Sequence, residues 1–132
     1  MRKVEVVEHN REWQDLFAIE SVCVARALGQ NAIAIHHIGS TAIPNIYAKP
    51  IIDLLVEVKD INEVDLHNSF MESFDYQRMG EFGIIGRRYF RKDNSWGIRT
   101  HHVHVFEVNS PEIQRHLAFR DYMIAHRGST IQ

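Results

Sequence analysis

Residues able to bind a phosphate group are concentrated in one stretch of the chain, "HHIGSTAIPNIYAKPIIDLLVEV", at positions 36–58. Gly39 permits a backbone turn that other residues resist, and the amides of that turn could cradle phosphate oxygens together with the hydroxyls of Ser40 and Thr41. Lys49 could supply a positive charge to the same anion. The pattern therefore predicts a phosphate site, with a nucleotide or a phosphorylated small molecule as its ligand.

The apolar run after this turn, "IIDLLVEV", carries two carboxylates on one face. Side chains alternate along a strand, so Asp53, Leu55 and Glu57 leave from the same side. The apolar pattern predicts a buried strand, and such a strand does not need a carboxylate such as Asp53 for its packing. Mg²⁺ and Mn²⁺ usually take one or two protein carboxylates when they also bind phosphates. The arrangement predicts metal-assisted phosphoryl or nucleotidyl transfer, with Asp53 and Glu57 as catalytic candidates.

Two further clusters lie in the second half of the chain. In "RTHHVHVFEV", His102 and His104 project from one face of a predicted strand and could share a metal ion, although imidazoles favour zinc or another borderline ion over magnesium. The alternative is that both rings only pack and hydrogen-bond locally. In "GIIGRRYFRK", Arg88 could hold a phosphate by bidentate contacts, or belong to an ordinary solvated hairpin.

The elements that position these residues are predicted in the order strand, helix, strand, strand, helix, hairpin, helix. "KVEVVEHN" predicts a short strand, and "REWQDLFAIESVCVARALG" has apolar residues near helical spacing before a glycine stop. "NAIAIHHIGS" and "IIDLLVEV" predict the strands around the turn. "DINEVDLHNSFMESFDY" predicts the second helix, residues 87–92 and 100–108 predict the hairpin, and the last helix runs from a Ser110 cap to Gly128. We therefore expect an α+β fold with a short mixed sheet flanked by helices.

The bulk composition is that of one soluble domain. The 132 residues suffice for a single core, and 45% hydrophobic with 24% charged residues is ordinary for globular proteins. The formal net charge of −2 gives no basic field, so we do not expect a nucleic-acid partner. No apolar run approaches the roughly 20 residues of a membrane helix, and the single Cys23 cannot form an intramolecular disulfide. We expect one cytoplasmic domain over residues 1–132.

Four ordered blocks of the chain together resemble the GrpB-like family of the nucleotidyltransferase superfamily. The blocks are "HHIGSTAIPNIYAKPIIDLLVEV", "GEFGIIGRRYFRK", "RTHHVHVFE" and "SPEIQRHLAFRDYMIAH", and the resemblance runs from Val4 to His126. It implies a small nucleotidyltransferase fold, with the Gly-Ser turn and Asp53 at the superfamily's active-site positions.

Two departures from the family pattern leave the function open. Active members of the superfamily carry two acids one residue apart on this strand, but the second position here is Leu55. Either Glu57 or a group from the hairpin completes a Mg²⁺ or Mn²⁺ site, or the chain is an inactive ligand-binding or protein-interaction module. A zinc-dependent hydrolase built on His102 and His104 is a third alternative.

The second departure lies at "HRGSTIQ", where family members commonly continue into a further C-terminal helix. We expect this chain to lack that helix. The surface that it covers would then be exposed, or covered by a second subunit in a homodimer.

Overall fold

The computed structural model describes residues 6–126. In chain order the elements are α1 (Glu12–Leu28), β1 (Ala32–Ile38), β2 (Ile52–Val58), α2 (Ile61–Val64), α3 (Asn68–Ser73), β3 (Gln77–Arg78), β4 (Arg88–Asp93), β5 (Arg99–Glu107) and α4 (Pro111–Ala125). Short 3-10 turns follow α1, β1 and α2, at Gly29–Asn31, Ser40–Ala42 and Asp65–His67. The predicted α+β class is confirmed.

The five strands form one mixed sheet in the order β1-β2-β5-β4-β3. Strands β2 and β5 pair in parallel at its centre, and the other neighbouring strands pair antiparallel. In the central pair Asp53 lies opposite His102, and Leu55 lies opposite His104. Because side chains alternate, this register brings the carboxylate and the two imidazoles to one face of the sheet.

Helices cover both faces of the sheet. The larger apolar cluster lies under α1, α2 and α3 and includes Trp13, Val24, Leu28, Leu54, Val56, Val64, Met71, Phe90 and Val103. The smaller cluster lies under α4 and contains Ile38, Leu55, Phe106 and Ile113. Leu55, at the position where the resemblance implies a second acid, is fully buried in the smaller cluster. Its side chain therefore anchors α4 instead of joining a polar site.

The local signals of the longer helices agree with the structure. Helix α1 ends at Gly29, whose φ is +63°. Helix α4 starts after Ser110, whose hydroxyl accepts a hydrogen bond from the amide of Glu112, with Pro111 at the first helical position. The predicted end of this helix at Gly128 lies outside the described residues. None of the described helices is long and apolar enough to cross a membrane.

Two predicted elements differ from the structure. The second helix is divided into α2 and α3 by a 3-10 turn at Asp65–His67, where Asp65, His67 and the following Asn68 all have low helix propensity. The first strand, predicted over residues 3–10, falls partly outside the described residues. In its described part Val7 makes only an isolated antiparallel bridge, with backbone hydrogen bonds of 2.9 and 2.8 Å to Ala48. The two-residue strand β3 had no signal in the sequence, because it is too short for an alternation pattern.

A partly buried ion pair ties α1 to the β4 strand on the face opposite α4. Glu20 Oε1 accepts hydrogen bonds of 2.7 Å from Lys92 Nζ and from the Tyr76 hydroxyl. The Lys92 and Glu20 side chains are only 16% and 12% exposed. Burial raises the pKa of Glu20, but the hydrogen bonds from Lys92 and Tyr76 outweigh it and hold the pKa below its ordinary value of 4.5. The carboxylate therefore stabilises the fold above that value and loses its contribution as the pH falls through the lower folded pKa.

Replacing Lys92 by methionine is expected to lower the unfolding free energy by about 2 to 4 kcal/mol at pH 7. Glu20 then stays charged, and of its two hydrogen bonds only the one from Tyr76 remains. The loss should shrink at pH 4, where protonation of Glu20 removes the uncompensated charge. Urea unfolding of the wild type and of Lys92→Met at pH 7 and at pH 4 measures this loss of stability. An equal loss at pH 7 and pH 4 would show that the methionine acts through packing alone.

Candidate functional site

The centre of the candidate site is the Asp53 carboxylate with two histidines of the neighbouring strand. Asp53 Oδ1 lies 2.9 Å from His102 Nδ1 and 3.4 Å from His104 Nε2. One ligand atom from each of the three residues lies within 4.8 Å of the other two. Burial raises the pKa of Asp53, but the hydrogen bonds from His102 and His104 outweigh it and lower the pKa below its usual value. The group is therefore an ionised carboxylate at neutral pH, held between two imidazoles.

The Gly-Ser turn lies directly against this carboxylate. Ile38, the last residue of β1, pairs with Asp53 across the sheet, and Gly39 follows it with φ +76°. A Cβ atom on Gly39 would stand 2.4 Å from Asp53 Oδ2, far inside van der Waals contact. Glycine is therefore required here both by the backbone conformation and by the approach of Asp53.

Ser40 and Lys49, both predicted to bind phosphate, come together with the carboxylate. They line a pocket of about 420 Å³ whose wall also includes Asp53, His102 and Tyr47. The Tyr47 ring is 65% exposed. This pocket brings a hydroxyl, an ammonium group and an aromatic face to the same side of Asp53.

Thr41, the third predicted phosphate ligand of the turn, is placed differently. It is buried, and its hydroxyl donates a hydrogen bond of 3.1 Å to the carbonyl oxygen of Ile51. The Thr41 hydroxyl oxygen lies 2.9 Å from His37 Nε2 and accepts its hydrogen. Burial lowers the pKa of His37 to about 4, so the ring is neutral at pH 7. Thr41 and His37 thus hold the turn against the start of β2.

The structure does not bring Glu57 or Arg88 into the cluster of Asp53, His102 and His104. Glu57 Oε2 lies 2.6 Å from His36 Nε2, two pleats along β2 from Asp53. Arg88 makes a two-pronged contact with the Asp65 carboxylate, at 2.8 and 3.1 Å. It shares its face of β4 with the core residue Phe90, opposite to the Asp53 face.

Arg87, the neighbour of Arg88, lies at the site instead. Its guanidinium donates to the carbonyl oxygens of Glu81 and Phe82, at 3.2 and 2.9 Å, and its Cζ lies 4.8 Å from the centre of the Tyr89 ring. Arg87 Nη1 lies 3.3 Å from His104 Nδ1. Arginine only donates, so His104 Nδ1 accepts and its Nε2 carries the hydrogen that faces Asp53. The sequence signal that could have found Arg87 is its alternation with Tyr89 on one face of the hairpin.

Aromatic rings continue from this arginine to α4. The Phe82, Tyr89, His104 and His116 rings stack in succession, with centroids 5.3, 5.4 and 5.9 Å apart. Burial lowers the pKa of His116, so this ring is neutral at pH 7. The row fixes the His104 ring between a strand and a helix, and so fixes its distance from Asp53.

Comparison with known proteins assigns the chain to a family. The model of the GrpB protein family matches residues 3–131. The chain belongs to the GrpB family. It is 50% identical over 125 residues to UPF0157 protein YqkA of Bacillus subtilis, covering 95% of this chain and 36% of YqkA. It is 34% identical over 127 residues to glutamate-rich protein GrpB of Alkalihalophilus pseudofirmus, covering 94% of this chain and 73% of that protein. The GrpB-family chain thus spans about a third of YqkA.

Solved structures give the same family and a wider fold relationship. The chain matches GrpB from Enterococcus faecalis with a TM-score of 0.89 and 45% identity, over 94% of this chain and 74% of the other. It matches a structure of the Cid1 poly(U) polymerase with bound MgGTP, with a TM-score of 0.58 and 12% identity, over 89% of this chain and 39% of Cid1. At this identity the likeness shows the fold alone, which is the nucleotidyltransferase fold. The predicted family and fold are confirmed.

Proposed function

We propose that this GrpB-family protein binds a divalent cation and the phosphates of a nucleotide, or of a phosphorylated small molecule, around Asp53, and acts as a nucleotidyltransferase. The observation that carries the proposal is the meeting of Asp53 with His102 and His104 directly beside the Gly39 turn. Cid1, which shares this fold, is a poly(U) polymerase, and one of its structures contains bound MgGTP. We place the protein in the cytoplasm, where disulfides are rare, and its single Cys23 has no intramolecular disulfide partner.

The donor set narrows the choice of cation. One carboxylate and two imidazoles suit a first-row transition ion, whereas Mg²⁺ prefers oxygen ligands and retained waters. Of the two expected ions, Mn²⁺ therefore fits these residues better than Mg²⁺. Asp53, His102 and His104 would hold the ion, which would supply charge neutralisation to a phosphoryl group.

The residues of the adjoining pocket have separate roles in this proposal. The Ser40 hydroxyl donates a hydrogen bond to a phosphate oxygen, and Lys49 supplies a charge that stabilises the developing negative charge. The exposed Tyr47 ring offers a stacking surface for a base. Glu57 and Arg88, with their partners His36 and Asp65, have no contact in the structure that supports a part in the chemistry.

A thermal-shift panel tests the proposal. ATP, GTP, CTP and UTP are each added with Mn²⁺, Mg²⁺ or Zn²⁺, or without metal, to the wild type and to Asp53→Asn. A nucleotide at about 100 times its Kd stabilises by about 2.7 kcal/mol, which raises the Tm by roughly 5 to 10 °C. We expect a shift that requires Mn²⁺ and is lost in Asp53→Asn. No shift with any nucleotide and metal would contradict the proposal.

Elemental analysis of protein purified without a histidine tag distinguishes the proposed function from that of a zinc-dependent hydrolase. That function predicts one zinc per chain bound through His102 and His104. Our proposal predicts less than stoichiometric zinc, because it assigns the cluster of Asp53, His102 and His104 to Mn²⁺. Stoichiometric zinc together with an unchanged Tm in the nucleotide panel would favour the hydrolase.

A non-catalytic ligand-binding module is the second candidate, and two contacts favour it. Leu55 fills the apolar cluster under α4 where a second acid would stand. Arg87 also donates toward His104 Nδ1, whereas a metal-bound Nε2 requires a hydrogen on that Nδ1. This candidate predicts nucleotide affinity without turnover. Release of pyrophosphate from a nucleotide that shifts the Tm would rule it out.

A further inference from the structure

A second pocket, of about 390 Å³, adjoins the Lys49 pocket at Asp53. Among the residues that line the two pockets in the described part of the chain, only Asp53 and Ser40 belong to both. A molecule in the second pocket would therefore lie against the same carboxylate as a phosphate in the first. This is the geometry of two substrates that meet at one reacting centre.

The walls of the second pocket are apolar on one side. Ile43 and Ile46 come from the connection between β1 and β2, and Phe119 and Met123 come from α4. Phe119 is 64% exposed, so most of its apolar surface is accessible to a molecule in the pocket. These four side chains make a surface suited to the apolar body of a small ligand.

The remaining wall of this pocket is polar and carries one fixed cation. Arg120 Nη1 donates to the carbonyl oxygen of His37 at 3.3 Å, and Arg120 Nε and Nη2 lie 3.0 and 2.9 Å from Asp121 Oδ1, which an anionic ligand would replace. The Arg120 side chain is only 25% exposed. Asp121 is 64% exposed, so its pairing with the guanidinium is weakened by solvent. The guanidinium has five donors in a rigid fork, which suits it to bind a carboxylate or another planar anion.

We propose that the second pocket binds the acceptor of the transfer, a small molecule with an apolar ring or chain, an anionic group beside Arg120 and a hydroxyl beside Asp53. This assignment rests on the proposed function. In the transfer, the acceptor oxygen forms a bond to the α-phosphorus of a nucleoside triphosphate. The bond from that phosphorus to the β-phosphate breaks, pyrophosphate leaves with the electron pair, and the acceptor proton passes to solvent.

The first test uses 1-anilinonaphthalene-8-sulfonate, whose apolar rings and sulfonate match the pocket and whose fluorescence rises on binding. The titration contains neither nucleotide nor metal. Arg120→Met is expected to weaken binding by about 5- to 10-fold through loss of a charge-assisted contact. Met123→Trp should weaken it by filling the pocket. Arg115→Met is the matched control, because Arg115 lies on the same helix, pairs with Glu112 and has a 74% exposed side chain.

A pair of competitors tests the chemical class. 3-(4-Hydroxyphenyl)propionate and tyramine share a phenol ring and a short chain, but one carries a carboxylate and the other an ammonium group. We expect the propionate to displace the probe from the wild type, and tyramine to displace it at least about 10-fold less well. Equal displacement by both, or unchanged probe binding in folded Arg120→Met and Met123→Trp, would overturn the assignment. Thermal unfolding of each variant confirms that it is folded.

Lys49→Met separates the failure of this assignment from the failure of the proposed function. Lys49 lines only the first pocket, so the variant is expected to lose nucleotide binding and keep the Kd for the probe. If the wild type shows no metal-dependent nucleotide binding while Arg120→Met still weakens the probe, the transfer is wrong and the acceptor role falls with it. If nucleotides bind but Arg120→Met leaves the probe unaffected, only the acceptor pocket is wrong.

Discussion

Replacing Asp53 by asparagine is expected to lower the affinity for Mn²⁺ by at least about 100-fold while the protein stays folded. Asp53 is the only carboxylate in the three-residue cluster of the described residues, and its hydrogen bonds with His102 and His104 hold it ionised. An amide keeps the shape of the side chain but removes the charge that binds the ion. The Tm should change by less than about 5 °C, because the substitution also removes a buried charge. Isothermal titration with Mn²⁺ measures the affinity.

Glu57→Gln is the matched control for this prediction. Glu57 is a carboxylate on the same strand and the same face, but it pairs with His36 at 2.6 Å and lies outside the cluster. We expect its Mn²⁺ affinity to stay within about 3-fold of the wild type, since screened charges two pleats away have little effect. Equal losses in Asp53→Asn and Glu57→Gln would show that the ion is held by a different set of groups. Global unfolding of Asp53→Asn would show that the carboxylate is structural.

Replacing Gly39 by alanine is expected to destabilise the protein by about 3 to 5 kcal/mol and to abolish metal binding. Gly39 has φ +76°, and an added Cβ would lie 2.4 Å from Asp53 Oδ2 and 3.0 Å from Asp53 Cγ. Asp53 cannot easily move away, because His102 and His104 hold its carboxylate. Urea unfolding gives the loss of stability, and Mn²⁺ titration gives the loss of the site.

Gly29→Ala separates backbone strain from the clash with Asp53. Gly29 has φ +63° and ψ −145°, close to the φ +76° and ψ −176° of Gly39, but an added Cβ there meets nothing within 4 Å. It should therefore show only the strain of about 1 to 3 kcal/mol. Combining Gly39→Ala with Asp53→Ala removes the closest atoms and should recover part of the difference. Equal losses at Gly29 and Gly39 would show that the contact with Asp53 contributes nothing.

Alternation along single strands predicted the faces of several side chains around Asp53. It predicted that His102 and His104 share a face, and that Asp53 leaves the opposite face from the buried Leu54. It could not show that these residues meet, because that depends on the parallel pairing of β2 with β5, across 49 residues of sequence. Pairing between strands so distant in sequence leaves no local pattern.

The contacts of two predicted site residues depend on register, which the sequence does not show. The cluster of Arg87, Arg88 and Arg91 predicts Arg88 as a phosphate ligand, but neighbouring residues of a strand point to opposite faces, and the structure brings Arg87 next to His104. Glu57 shares the face of Asp53, but the antiparallel partner strand offers it His36. In both cases the residue type correctly indicated a charged contact, but the partner in that contact comes from another element of the fold.

The most direct test of the proposed centre is anomalous diffraction at the manganese edge, from crystals grown with Mn²⁺ and a non-hydrolysable nucleoside triphosphate analogue. We expect one strong peak within about 2.3 Å of an Asp53 oxygen, His102 Nδ1 and His104 Nε2, with the phosphates of the analogue beside Ser40 and Lys49. A strong manganese peak elsewhere, or an ordered analogue with no peak at Asp53, would contradict it.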